Sequence, residues 1–253
     1  MDKRWGISID IEGFSNLYEH SEASQTKAIW GLHQLMDAVI KVGQKVYPGD
    51  ANKNYWDRIF AHQFGDGFIL ISNFEEPDPS RCIAIAVSLS RHMLLQGFAT
   101  KAAISTGGMS DINGCYPDTM RYAKNNTLDL GMGLMTSIPV MGTALTKAHK
   151  LGGRVSGNVV VIDVTQFSSV PEDLIEESEG NIGYINWMSD QNSLACEISQ
   201  KADLQFGNQE QLLSRFDAYI TTVPCPPQKW IEGSRRCQAH NTQRKRRPSS
   251  WTR

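Results

Sequence analysis

An α+β domain is what this 253-residue chain predicts, with one sheet and helices packed on one side. Three observations carry that expectation. Strand-like and helix-like stretches follow one another in the order β-α-β-β-α-β-β-α-β between Trp5 and Asp163. The strand candidates are short and bounded by glycine, whereas the helix candidates repeat apolar residues at three- and four-residue spacing. A sheet built from such an alternation needs a helical layer to bury its apolar face. No internal repeat is visible.

The stretch RWGISIDI alternates apolar with small or polar residues and breaks at Gly13, so a strand is expected from Trp5 to Ile11 with Asp10 at its C-terminal end. From Ser24 to Val46, residues Ala28, Ile29, Leu32, Met36, Val39 and Ile40 share one helical face, and YPGD stops the element. Arg58 to Phe64 and Phe68 to Ser72 are expected to form a hairpin about Gly65-Asp66-Gly67, because glycine accepts positive φ and aspartate bonds its own backbone. Asp78-Pro79 starts a second helix and Gly97 stops it. KAAISTGG, opening at an exposed Lys101, reads as a strand closed by two glycines; LMTSIPVMG reads as a weaker one, with a helix between them over Thr119 to Leu130. Ala144, Leu145, Ala148 and Leu151 mark a short amphipathic helix ending at Gly152-Gly153, and NVVVID is a buried strand. IGYINWM and LACEIS are expected to pair as a later hairpin.

A net charge of −2 and an isoelectric point near 6.3 argue against nucleic acid or an anionic membrane as the main partner. The exception is the end, where Arg235, Arg236, Arg244, Lys245, Arg246, Arg247 and Arg253 stand among polar residues with little to bury. This divides the chain into a domain over 1–232 and a basic, disordered tail over 233–253. Cys82, Cys115, Cys196, Cys225 and Cys237 are odd in number and contain no CxxC pair, which fits reduced thiols and a cytoplasmic location. No stretch approaches the roughly 18 apolar residues of a membrane span, and MDKRWGISIDIEGF does not read as a secretory leader.

Asp10 and Asp66 become neighbours if the hairpin lies beside the first strand. Two carboxylates brought together repel unless one is protonated or a cation lies between them. Oxygen ligands without His or Cys favour Mg2+ or Mn2+, completed by water and phosphate oxygens. Gly65 and Gly67 leave room for a substrate at the turn, and Gly13 lets EGFSN begin with free backbone N–H groups suited to phosphate.

ISIDIEGFSNL resembles the first metal strand of class III nucleotidyl cyclases, and QFGDGFIL resembles their second metal hairpin. KAAISTGG is similar to their central strand motif and PVMGTALTKAHKL to their strand-to-helix motif, in the same order and spacing over residues 5–163. The resemblance implies a ferredoxin-like α+β catalytic domain with a central, mostly antiparallel sheet. It implies two Mn2+ or Mg2+ ions per site, held by Asp10, Asp66 and the main-chain carbonyl of Ile11. One ion lowers the pKa of the 3′-hydroxyl and aligns it on the α-phosphorus while the other carries the triphosphate.

The departures from the family narrow the substrate. Purine cyclases usually read the base with Lys or Glu where this chain has His62, followed by Gln63. Their second base-reading position corresponds to Pro139, whose side chain cannot hydrogen-bond. Thr146 and Lys150 replace an Asn and an Arg, still four residues apart on one helix face, and lysine neutralises phosphate without a bidentate fork. With KRWGISIDIEGFS, these features are most similar to the pyrimidine nucleotide cyclases of bacterial anti-phage defence, the Pycsar type. The similarity implies conversion of UTP to 3′,5′-cyclic UMP and pyrophosphate, with CTP to cyclic CMP as the alternative. It further implies a homodimer with both sites at the interface and a product that activates a separate effector. Asp10, Asp66 and Lys150 then act in catalysis, and Phe14, His62, Gln63 and Thr146 contact the nucleotide. A catalytically weak, cyclase-like nucleotide-binding module and an adenylate cyclase with unusual base contacts are the competing readings.

Overall fold

Strand β1 (Arg4–Ile11) is central because residues on both of its faces are buried. Trp5, Ile7, Ile9 and Ile11 point to one side and Gly6, Ser8 and Asp10 to the other, as the two-residue repeat of a strand requires. The computed structural model describes residues 4–46, 59–138, 140–222 and 226–244, with 237–244 described by backbone alone.

After β1 come α1 (Phe14–His20), α2 (Glu22–Lys41), the hairpin β2 (Ile59–Phe64) and β3 (Gly67–Ser72), α3 (Ser80–Leu95) and β4 (Thr100–Gly107). An arm follows, made of β5 (Ser110–Asp111), α4 (Asp118–Arg121), β6 (Thr127–Asp129), β7 (Leu134–Thr136) and β8 (Val140–Met141). Then come α5 (Thr143–Gly152), β9 (Val160–Asp163), β10 (Ile175–Glu179), β11 (Ile182–Ile185), α6 (Ser193–Lys201), α7 (Gln209–Thr222) and α8 (Gln228–Arg244).

The expected α+β class holds. Seven strands form one mixed sheet in the order β10-β11-β9-β4-β1-β3-β2. Every neighbouring pair is antiparallel except β4 with β9. On one face, Trp5, Ile7, Ile9 and Ile11 pack with Leu35 and Val39 of α2 and with α3, which is buried from Cys82 to Leu94. Within α3, Arg91 has no exposure. Its guanidinium donates to Phe206 O at 3.0 Å, Ser189 O at 2.8 Å and Gly207 O at 2.8 Å, pairs with Asp190 at 3.1 Å, and lies 3.8 Å over the Phe206 ring. A buried cation is tolerable only with such complete partners, and this one fastens the loops before α6 and α7 to the core.

Helices cover both faces of the sheet, which corrects the one-sided expectation. α5 lies on β1 and β4 on the face opposite α2 and α3, with Ala144 packed against Ile69 and Ile71. Small residues let it approach. A Cβ on Gly6 would stand 2.7 Å from Ala144 O, and Gly152 meets the Cβ of Ala103.

Other segments also depart from the sequence reading. α1 was not anticipated. LACEIS forms α6 rather than a strand: the Asn192 side chain accepts from Ala195 N–H at 2.9 Å, and Ala195, Ile198 and Ser199 are buried at helical spacing. IGYINWM does supply β11, but its partner is β10, IEESE, a charged strand suited to a sheet edge. Within the expected Thr119–Leu130 helix only α4 is α-helical, with a single 3-10 turn at Lys124–Asn126, because Asn125 and Asn126 take φ of 55° and 54°, which a continuous right-handed α-helix does not allow. LMTSIPVMG yields two short strands outside the main sheet, with Pro139 outside the described residues; Arg58 lies outside them as well. The boundary placed at 232/233 falls inside α8, so the first part of the anticipated disordered tail is helical, and 245–253 lie outside the described residues. No helix among the described residues is long and apolar enough to cross a membrane.

Gly6→Val is expected to lower the unfolding free energy by about 1–3 kcal/mol, because α5 must lift off backbone atoms that cannot rotate away. Urea denaturation measures it; an unchanged midpoint would show that α5 is not seated on β1.

Candidate active site

The ladder between β1 and β3 sets Asp10 opposite Gly67, and the ladder between β1 and β4 sets Asp10 opposite Lys101. Gly65 takes φ of 62° at the hairpin tip, a conformation natural to glycine, and Asp66 follows it. These registers gather residues far apart in sequence around one cavity of about 230 Å³, walled by Asp10, Asp66, Lys101, Phe64 and His149, with Gly152 and Gly153 closing the α5 side. Phe64 packs its ring edge-on to His149 at 5.3 Å between centroids.

The cavity is electrostatically loaded. Burial pushes the Asp10 carboxyl up to a pKa of about 6, against the pull of Lys101, and nearby Glu12 and Asp66 push the same way as burial. Lys101 Nζ stands 3.5 Å from Asp10 Oδ2 and 2.7 Å from Glu12 Oε1. Burial works to lower the lysine's pKa, but Asp10 and Glu12 outweigh it and the net shift is upward. Lys101, expected to be an exposed strand opener, is therefore half-buried and paired. Glu12 also accepts from the Trp230 indole, and its main-chain oxygen accepts from the Tyr219 hydroxyl at 3.0 Å.

Of the residues singled out from the sequence, Asp10 and Asp66 share the cavity. Ile11 ends β1 with its side chain buried in the core. Phe14 opens α1, stacks on Tyr18 at 5.7 Å and packs against the core, outside the cavity lining. His62 lies opposite Ile69 on β2, half-buried; burial lowers its pKa, and Nε2 has no partner among the described residues. Gln63 follows it on the opposite face of the strand and donates to Gly65 O at 3.1 Å. Neither lines the cavity, and the two cannot share a face. Thr146 and Lys150 are exposed on α5; the Thr146 hydroxyl turns back to carbonyls of its own helix, and neither residue lines this chain's cavity. Sequence reasoning missed Phe64, Lys101, Glu12 and His149. The signal for Lys101 was its register: once β1 and β4 are neighbours, the residue opposite Asp10 follows.

The donor set suits a hard divalent cation. Two carboxylates face the cavity beside the end of β1; burial chiefly, with Glu12 and Asp66 adding to it, disfavours the ionised Asp10, and a bound cation would offset that cost. Among the described residues no three His, Cys, Asp or Glu side chains gather as a closed metal cluster. Further coordination would fall to main-chain carbonyl, water and phosphate oxygens, the habit of Mg2+ and Mn2+. No protein-family model matches this sequence, and no curated protein matches it.

Because the folded carboxyl holds its proton more tightly than the unfolded one, Asp10 weakens the metal-free fold as pH rises through about 6. Asp10→Asn is therefore expected to raise the urea midpoint at about pH 8, with the advantage shrinking towards about pH 4. Equal midpoints at the higher pH would show that burial places no strain on Asp10.

Proposed function

We propose that the protein is a class III-type nucleotidyl cyclase that closes a pyrimidine nucleoside triphosphate, UTP ahead of CTP, into its 3′,5′-cyclic monophosphate and releases pyrophosphate. One observation carries the reading: Asp10 at the end of β1 and Asp66 at the β2–β3 tip meet in one cavity beside Lys101. The order β4-β1-β3-β2, built from a β-α-β-β-α-β sequence, supports a ferredoxin-like catalytic core, with β9, β11 and β10 added beyond β4.

Bound Mg2+ or Mn2+ would acidify the 3′-hydroxyl and neutralise charge at the reacting phosphate. The chain's own part is to hold the cation through Asp10 and Asp66, and to offer the Lys101 ammonium at the cavity wall. Ser8, Gly67 and Ile69 also line the cavity.

A cavity of about 230 Å³ is smaller than the roughly 300–1,000 Å³ of small-molecule sites, so one chain supplies the phosphate end and further wall must come from elsewhere. The reading assigns that wall to a second copy, whose exposed Thr146 and Lys150 reach across a homodimer interface. Exposed apolar residues on the arm support self-association: Met132 is 106% exposed, Tyr122 79% and Leu134 69%. The Pycsar-type role, a cytoplasmic messenger that switches on a separate effector, rests on the resemblance of KRWGISIDIEGFS and on His62 and Pro139 standing at the sequence positions that correspond to the base-reading residues of purine cyclases. Pairing of Lys101 with Asp10 favours a second reading, a nucleotide-binding module without turnover, since the ammonium sits where a cation would act.

Incubating the purified chain with each of the four nucleoside triphosphates and Mn2+, with products resolved by mass spectrometry, separates these readings. Cyclic UMP from UTP is expected; a purine product alone overturns the substrate, and nucleotide binding without any product establishes the module. Asp66→Asn is expected to cut product formation by at least about 100-fold while leaving the melting temperature near that of the parent.

A further inference from the structure

Glu12 stands two residues beyond Asp10 and is 8% exposed. Four residues from three segments fix its four polar groups. Its N–H donates to Ala99 O at 3.0 Å, its main-chain oxygen accepts from Tyr219 of α7, one carboxylate oxygen takes Lys101 of β4 at 2.7 Å, and the other takes the indole N–H of Trp230 in α8. Trp230 is itself 7% exposed and lies 5.9 Å from the rings of both Phe216 and Tyr219. α8 has a second tie to the same place. Ser234 Oγ accepts from Asn158 N–H at 2.7 Å, and Asn158 Oδ1 accepts from the N–H of Thr100, the neighbour of Lys101, at 3.2 Å.

A buried ion pair seldom adds stability over apolar residues of the same shape, so its presence calls for another reason. Here the geometry supplies one. Lys101 has two carboxylates within reach and sits closer to Glu12, at 2.7 Å, than to Asp10, at 3.5 Å. An ammonium given wholly to Asp10 would compete with a divalent ion for the same oxygens. We infer that Glu12, held by Trp230 of the C-terminal helix, is a positioning residue that draws Lys101 off Asp10 and so keeps that carboxylate open to a cation. The inference rests on the metal-site reading given above. It makes α8, more than 200 residues away in sequence, a structural part of the catalytic end of the sheet.

The test is Mn2+ binding to the full chain without nucleotide, read from the paramagnetic resonance signal of free Mn2+. Glu12→Gln keeps an acceptor for Trp230 but loses the charge that holds Lys101, and is expected to weaken Mn2+ binding about tenfold or more. Trp230→Phe should weaken it less and in the same direction. Adding Lys101→Met to Glu12→Gln should restore binding to the parent level or beyond, which a purely structural role of Glu12 would not produce. Should Glu12→Gln fail to fold by circular dichroism, Trp230→Phe with and without Lys101→Met decides the matter. If the parent chain binds no Mn2+, or binds it equally after Asp66→Asn, the metal-site reading itself fails. If the parent binds through Asp66 yet Glu12→Gln binds as well as the parent, or Lys101→Met gives no recovery, the positioning role is overturned.

Discussion

The site depends on how closely the hairpin can approach the first strand. A Cβ on Gly67 would stand 2.5 Å from Ile9 O and 2.8 Å from the Cβ of Asp10, so only glycine lets β3 pair with β1 at that step. Gly65 serves differently, by accepting the positive φ that reverses the chain. The Gly-Asp-Gly stretch thus contains one glycine for the turn and one for the approach, with the carboxylate delivered between them. What keeps this register is burial. Every residue of β3 from Gly67 to Ser72 is buried, and a slip of one residue would send Phe68, Leu70 and Ile71 to the wrong faces. Hydrophobic packing therefore fixes the position of the charged site, whose cavity Ile9, Phe68 and Ile69 also line.

The two faces of the sheet divide the remaining work. The face toward α2 and α3 is mostly apolar, with Ser72, Thr100 and Thr106 as buried polar members, and supplies the stability; on the face toward α5, β1 and β4 carry Gly6, Ser8, Asp10, Lys101 and Ala103, residues that are small or ionisable. Small residues admit α5, and α5 brings His149, Gly152 and Gly153 to the cavity. A carboxyl whose pKa is pushed to about 6 by burial is unfavourable to a metal-free fold, and such unfavourable groups concentrate where function needs them. The stability of the α3 side makes that tolerable.

Much of this was legible in the chain. β1, the β2–β3 hairpin, α3, β4, α5 and β9 have strong periodicity and clear stops, and they stand where the pattern places them. α6 was misread because six residues of LACEIS are too few to separate a period of two from one of 3.6, and its Asn192 cap lies outside the apolar run. The two-sided covering was missed although Gly6 and Ser8 announced it: small residues at alternate strand positions mark a close neighbour. Asp10 and Asp66 were legible from turn chemistry and from the family resemblance. The separation of His62 and Gln63 onto opposite faces also follows from the strand period alone. Lys101 and Glu12 were not legible, since their roles come from pairing β4 with β1 and from Trp230, 218 positions beyond Glu12, and no local pattern encodes either.

The charge balance at this end of the sheet constrains what can bind there. Three carboxylates, Asp10, Glu12 and Asp66, stand against the single ammonium of Lys101, an excess of 3 − 1 = 2 negative charges when all are ionised. A nucleoside triphosphate is itself strongly anionic, and a concave site of like sign repels it at every distance within a Debye length. Lys101 cannot resolve this, because its charge is already spent on Asp10 and Glu12. This chain's own cavity residues cannot reverse the sign of the cavity, so a nucleotide reading of this site calls for added cations. The same arithmetic gives the nearer contact of the lysine with Glu12, 2.7 Å against 3.5 Å to Asp10, a consequence: the more of the ammonium's charge Glu12 takes, the less Asp10 is neutralised and the more of it would be left for a divalent ion.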